Sequence, residues 1–208
     1  MDNSPLRRGK PSVHAAYGET MALLTGDALL NRAFEVVLSP AARTNLSAES
    51  AIAAAAELAD AAGIDGMIGG QVMDLRSEGQ RLDMDALVRL QAGKTAALIR
   101  AACCMGALLA GADSEQKAAA YTFGYELGLG FQIIDDVLDA TSTAEVLGKP
   151  VGSDEENEKS TYVALLGVEG AKALAKERTE AALAALAPLG KEADGLRALA
   201  QSLLTRIW

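Results

Sequence analysis

Residues 131–139 read Phe-Gln-Ile-Ile-Asp-Asp-Val-Leu-Asp, three aspartates set in an otherwise apolar run. Leu127, Leu129, Phe131, Ile133, Ile134, Val137 and Leu138 take so many positions around a helical turn that little room is left for a solvated face. The stretch therefore reads as a core helix. A carboxylate in such a place is costly unless paired, protonated or bound to a cation. Helical spacing puts Asp135 and Asp139 on one face, about 6 Å apart along the axis at roughly 1.5 Å per residue. Asp136 is rotated toward the neighbouring edge. Most Asp-Asp pairs are acidic turns on solvated helices, but these apolar flanks favour a metal. Two or three hard oxygen donors on one face suit Mg²⁺, which takes a few carboxylates, keeps several waters and bridges to phosphates.

The rest of the chain agrees with a helical fold. Of 208 residues 50% are hydrophobic but only 4% aromatic, so Ala and Leu fill the core, the mark of packed helices rather than strands. This length suits one domain, residues 1–208, with a substantial core. A net charge of −9 argues against a nucleic-acid partner, since no basic stretch replaces phosphate counterions. No charge-free apolar stretch reaches membrane-spanning length, and the N-terminal residues form no apolar signal region. Cys103 and Cys104 are adjacent on a helix, too constrained for an ordinary disulfide and too few for zinc. They read as buried thiols of a reducing cytoplasm.

Periodicity predicts helices over 12–25 and on to about 38, with Gly26-Asp27 as the break between them. Ser47 is the expected N-cap of an alanine-rich helix ending at Gly63. Further helices follow over 66–77 and from Met84 to Leu109. One more starts at Asp113 or Ser114 and runs to about 140. Residues 141–160, with Gly148, Pro150 and Gly152, read as a loop. Two amphipathic helices, 167–187 and 191–206, close the chain, broken by Pro188 and Gly190.

Two familiar motifs fail. Gly93-Lys94-Thr95 resembles the end of a phosphate-binding P-loop, yet position 88 is valine where glycine is required. Gly128-Leu129-Gly130 begins a dinucleotide fingerprint, yet the third glycine would fall at Ile133 and no strand precedes it. His14 is the sole histidine, with no triad around it; it reads as a structural hydrogen-bonder, or near Arg7 and Arg8 as a phosphate contact. Arg7-Arg8-Gly9-Lys10-Pro11 places three cations in a stiff, non-helical segment, and arginine forks match phosphate oxygens bidentately. Lys94 with Thr95 in an apolar helix, and Lys149 and Lys159 flanking the loop after the aspartates, add further cations.

Taken in order, these residues resemble one family. The segments are Met1-Asp2 through Leu6-Arg7-Arg8-Gly9-Lys10-Pro11, Gly18-Glu19, Gly26-Asp27-Ala28-Leu29, Gly66 through Gln71 to Asp74-Leu75, Lys94 through Arg100, Phe131 through Asp139, Leu147-Gly148-Lys149 and Lys159 through Tyr162. The chain resembles the trans-isoprenyl diphosphate synthases, of the bacterial farnesyl and geranylgeranyl diphosphate synthase type, over nearly its whole length. The resemblance implies an all-α, isoprenoid-synthase-type helical bundle. It implies a prenyltransferase that joins isopentenyl diphosphate to an allylic diphosphate, forming geranyl or farnesyl diphosphate, by Mg²⁺-assisted ionisation, condensation and proton loss, with Mn²⁺ as an alternative ion. Carried over by position, Asp135 leads the metal ligands, with Asp136, Asp139 and Asp2. Arg7, Lys94, Thr95, Gln132, Lys149 and Lys159 bind the allylic diphosphate, and Arg8 and Phe131 the isopentenyl diphosphate. Thr95 and Gln132 also place oxygens near the developing cation. The family implies a cytoplasmic homodimer acting on small diphosphates, without nucleic acid or membrane insertion. A terpene cyclase would need no second diphosphate site, against which Arg8 and the Lys149–Lys159 loop speak.

One departure is large. The first aspartate-rich motif of the family ends here at Asp2, so its two leading aspartates would lie before Met1. Roughly the first three helices of the bundle would be missing too, leaving apolar faces uncovered. An internal methionine taken as the start, a chain that begins late, or a true short homologue serving as a non-catalytic regulatory subunit would each account for this. The intact downstream positions favour a missing front half, and the 208-residue chain alone is then expected to be inactive or nearly so.

Overall fold

The computed structural model describes residues 3–7, 9–39, 46–142 and 160–204. Leu6–Arg7 (β1) and Lys10–Pro11 (β2) form a minimal antiparallel hairpin with Arg7 opposite Lys10, turned at Gly9, whose φ of 72° favours glycine. Every other regular element among the described residues is helical. They are α1 (Val13–Tyr17), α2 (Glu19–Leu38), α3 (Ala48–Ala62), α4 (Met67–Ser77), α5 (Met84–Gln91), a π-helical turn (Ala92–Ala96), α6 (Ala97–Leu109), α7 (Ser114–Thr141), α8 (Tyr162–Ala185), a 3₁₀ stretch (Ala187–Ala193) and α9 (Asp194–Leu204).

Capping chemistry sets several boundaries. Ser47 Oγ accepts from Ser50 N at 3.0 Å, as the sequence predicts. At α7, Asp113 accepts from Gln116 N at 2.9 Å while Gln116 Oε1 accepts from Asp113 N at 3.1 Å, a complete capping box. We expect Asp113→Ala to destabilise the fold by about 1 kcal/mol, read as a drop of ~2–4 °C in thermal midpoint. An unchanged midpoint would show that α7 is fixed by packing alone.

Two boundaries differ from expectation. The break placed at Gly26-Asp27 lies instead at Gly18, with φ 85° and ψ 161°. Gly26 has no positive φ and stays inside α2, so only Gly18 takes a turn a side chain would resist. The C-terminal helix expected from 167 begins at Tyr162, and Gly167 at φ 71° is a kink within it. Of the loop expected over 141–160, Thr141 still belongs to the helix Ser114–Thr141, and residues 143–159 lie outside the described residues.

α7 is the central rod. α8 lies along one side of it and α6 along another, while α3 packs on α6 and α4 crosses the π-helical turn. Ile133, Ile134, Val137 and Leu138 of α7 form a core cluster with Leu87 of α5 and Tyr162, Ala171 and Ala175 of α8. Phe123 and Leu127 form a second with Ala182, Leu186, Ala193 and Ala200. Glycines allow the closest crossings. A Cβ on Gly124 would stand 2.6 Å from Arg100 Cα, one on Gly128 2.5 Å from Ala96 Cα, and one on Gly70 2.1 Å from Lys94 N.

α2 is the exception, since it buries none of its twenty residues. Met21, Leu23, Leu24, Leu29 and Val36 are all exposed. The helical run Met84–Leu109 is long and apolar enough, by length and composition, to cross a membrane. Here it packs against α3, α4 and α7 and carries Arg89, Lys94 and Arg100. Cys104 is buried and Cys103 half-buried, and both are free thiols. Burial, then the nearby Glu57 carboxylate, pushes the Cys104 thiol up to about 11, so it stays protonated and unreactive at neutral pH.

Candidate functional site

The π-helical turn places the first two functional side chains. A π turn inserts an extra residue into a helix and is common at functional sites. Here it spans Ala92–Ala96 and carries Lys94 and Thr95, both half-buried. Lys94 Nζ donates to Asp74 Oδ2 at 2.6 Å across the crossing with α4. Asp74 is buried on its helix. Sequence reading quotes it only within a matching segment and gives it no role, although a signal exists: Gly66, Gly70 and Asp74 stand at i, i+4 and i+8, the face whose glycines mark the crossing over Lys94.

Thr95 faces α7. Its hydroxyl donates to Gln132 Oε1 at 3.0 Å, with Gln91 Oε1, buried one turn back, at 3.5 Å. Gln132 Nε2 in turn donates to Asp136 Oδ1 at 3.0 Å, and the backbone N–H of Tyr162 donates to Asp136 Oδ2 at 2.9 Å. A continuous polar chain thus runs from the π-helical turn through α7 to the first residue of α8. Tyr162 itself is 1% exposed, and burial, reinforced by the Asp136 charge, raises its phenol well above the ordinary tyrosine range.

The three aspartates therefore divide. Asp135 is half-buried and Asp139 buried, one helical turn apart on α7. Asp136, expected among the metal ligands, accepts from the Gln132 amide and from the Tyr162 backbone N–H and is 3% exposed. Among the described residues no group of three or more acidic, histidine or cysteine side chains gathers around one point. The roughly 100° rotation per residue of a helix brings Asp136 to the Tyr162 N–H at the start of α8. A pair of hard carboxylates remains, and that donor set fits an ion such as Mg²⁺ that holds one or two carboxylates and fills its other positions with water and phosphate.

Arg7 is exposed on β1 and sits directly opposite Lys10. Like charges so paired are unfavourable unless an anion lies between them. Among the described residues no hydrogen bond or ion pair joins Arg7 to α7 or to the π-helical turn. His14 shares a hydrogen bond with Ser12 Oγ at 3.1 Å through Nδ1, in keeping with a structural role. Phe131 is half-buried beside Gln132. Asp2, Arg8, Lys149 and Lys159 lie outside the described residues.

The chain is similar to known proteins in sequence and fold. The chain matches the polyprenyl synthetase family over residues 1–194. It is 43% identical over 211 residues to a farnesyl diphosphate synthase of Escherichia coli, covering 99% of this chain and 70% of that protein. It is 44% identical over 172 residues to the farnesyl diphosphate synthase of Bacillus subtilis, covering 83% of this chain and 58% of that one. The fold superimposes with a TM-score of 0.84 on a geranyltransferase from Helicobacter pylori crystallised with magnesium and isoprenyl diphosphate, at 35% identity over 99% of this chain and 66% of that chain. The chain thus spans between 58% and 70% of the length of these relatives.

Proposed function

The chain belongs to the polyprenyl synthetase family, and on that footing we propose that its site ionises an allylic diphosphate and joins the allylic fragment to isopentenyl diphosphate. Geranyl or farnesyl diphosphate is the product we assign. The observation that carries the reading is the Thr95–Gln132 contact, which sets two side-chain oxygens between a lysine on one helix and a carboxylate pair on the next.

Each residue has a physical task. Asp135 and Asp139 hold the divalent ion, Mg²⁺ or Mn²⁺. Once bound, that ion supplies positive charge that stabilises departing diphosphate. Lys94 gives a fixed ammonium for the same leaving group, and its tether to Asp74 keeps it in place before substrate arrives, so little reorganisation remains at the moment of reaction. Arg7 takes another face of the allylic diphosphate, with Lys149 and Lys159 from the segment before α8. Arg8 and Phe131 receive isopentenyl diphosphate. The Thr95 hydroxyl and the Gln132 carbonyl present negative dipole ends to the allylic cation. Apolar side chains around α7 keep water from capturing it. Asp2 completes the opposing carboxylate set, and a second copy of the chain is the partner we assign.

The test is metal-dependent diphosphate recognition followed by product formation. A non-ionisable geranyl thiodiphosphate is expected to bind at least ~10-fold more tightly with Mg²⁺ than with a chelator, and geranyl plus isopentenyl diphosphate to give a longer prenyl diphosphate in a protein of the relatives' full length. Equal binding with and without metal would overturn the assignment. Tight metal-dependent binding without product, together with altered product length in a mixture with an active synthase, would favour a regulatory subunit instead.

A further inference from the structure

We propose that Asp136 is a positioning residue rather than a metal ligand: it sets which end of the Gln132 amide faces Thr95, and it fastens the start of α8 to that pair. The proposal rests on the prenyl-transfer reading only for what the Thr95 and Gln132 oxygens do.

The geometry has one polarity. A carboxylate only accepts hydrogen bonds. With Asp136 Oδ1 3.0 Å from the amide of Gln132, the amide must turn its NH₂ toward Asp136. Its carbonyl oxygen is thereby sent to the other side, where the Thr95 hydroxyl meets it at 3.0 Å. Without an acceptor-only neighbour the two ends of a glutamine amide are close to interchangeable in shape, and a hydroxyl accommodates either one. Asp136 removes that freedom. The junction then offers oxygen lone pairs, which suit a developing positive charge, and the NH₂ that would oppose such a charge is held back.

The second oxygen does a different job. The first N–H groups of a helix lack intrahelical partners. At α8 the Thr161 hydroxyl accepts from Ala164 N at 3.1 Å, and Asp136 Oδ2 takes the Tyr162 N–H at 2.9 Å. A negative charge at this end also suits the helix dipole. Ser160, two residues before Tyr162, accepts from Leu82 N at 2.9 Å and donates to Gln80 O at 3.0 Å. The entry to α8 is thus fixed to the α4–α5 connection and to α7, and the α7 anchor is the same side chain that orients Gln132.

Asp136→Asn keeps the shape and supplies an amide that can donate as well as accept. Three readings separate the roles. Mn²⁺ binding in the presence of pyrophosphate, followed by electron paramagnetic resonance, should stay within ~2-fold of the parent chain for Asp136→Asn but weaken at least ~10-fold for Asp135→Asn. Hydrogen exchange at the Tyr162 amide should quicken at least ~10-fold in Asp136→Asn, as expected for loss of a charge-assisted bond of about 1.5 kcal/mol or more. The single Gln132 side-chain amide resonance pair should split into two sets. Mn²⁺ weakened as much in Asp136→Asn as in Asp135→Asn would overturn the proposal. Should Asp136→Asn fail to fold, Thr95→Val decides: one Gln132 amide set supports orientation by Asp136, and two sets overturn it. If the parent chain shows no metal-dependent pyrophosphate binding, the prenyl-transfer reading falls, while the Tyr162 and Gln132 measurements still judge Asp136.

Discussion

In a protein of its relatives' full length, Asp135→Asn is expected to lower Mg²⁺-dependent diphosphate release by about 10³-fold, with the fold intact. Asp135 sits half-buried on α7, a turn before buried Asp139, and the substitution removes its charge while keeping its volume. Metal stabilisation of a departing oxyanion amounts to several kcal/mol, and about 4 kcal/mol corresponds to three orders of magnitude in rate. The loss should come with a raised Mg²⁺ requirement, so a titration of pyrophosphate release against metal separates it from a general defect. Asp139→Asn should act in the same direction. By contrast, Gln132→Leu should leave the metal requirement nearly unchanged while slowing turnover, because it removes an oxygen dipole and not a ligand. Activity within about tenfold of the parent for Asp135→Asn would remove the metal site from this helix face.

Gly70→Ala should cost at least ~2 kcal/mol of stability, near the upper part of the range for overpacking. An added Cβ would lie 2.1 Å from the backbone nitrogen of Lys94 and 2.7 Å from its Cα. Those are main-chain atoms of the π-helical turn, so no side chain can swing aside and the two helices must part. Parting them also lengthens the Lys94–Asp74 contact, so diphosphate affinity should weaken together with stability. Gly106→Ala is the control. A Cβ there meets nothing within 4 Å inside α6, so the same change should stabilise by ~0.5–1 kcal/mol through helix propensity. Urea denaturation of both variants gives the comparison, and equal midpoints would show that α4 does not bear on the π-helical turn as closely as described.

Helix existence was readable wherever a local rule decides it. Ser47 and Asp113 announce their caps by residue type and spacing, and the apolar crowding around Asp135 foretells a buried α7. The residues gathered at Thr95 and Gln132 were also reachable, through ordered likeness to a family. What could not be read depends on neighbours distant in sequence. Gly18 and Gly26 look alike in the chain, and only the path into α2 decides which turns. The orientation of Asp136 depends on Tyr162, 26 residues later, so helical spacing alone could place it beside Asp135 but could not say that α8 would claim it. The Asp74 partner of Lys94 escaped for a similar reason, since its role emerges only where α4 crosses.

The π-helical turn has a consequence for any attempt to redesign this protein. Each helical residue advances the chain by roughly 100°, so the one extra residue in a π turn leaves α5 and α6 out of phase as parts of a single continuous helix. Leu87 is buried against Ile133 and Tyr162 before the turn, and Ala101 against Ala61 of α3 after it, so the two halves meet different partners across the turn. Deleting one residue from Ala92–Ala96 would restore an uninterrupted helix and rotate one half of it by that angle. Either Leu87 would leave the cluster it shares with Ile133 and Tyr162, or Ala101 would leave its place against α3. The segment therefore tolerates exchange of side chains far better than a change of length.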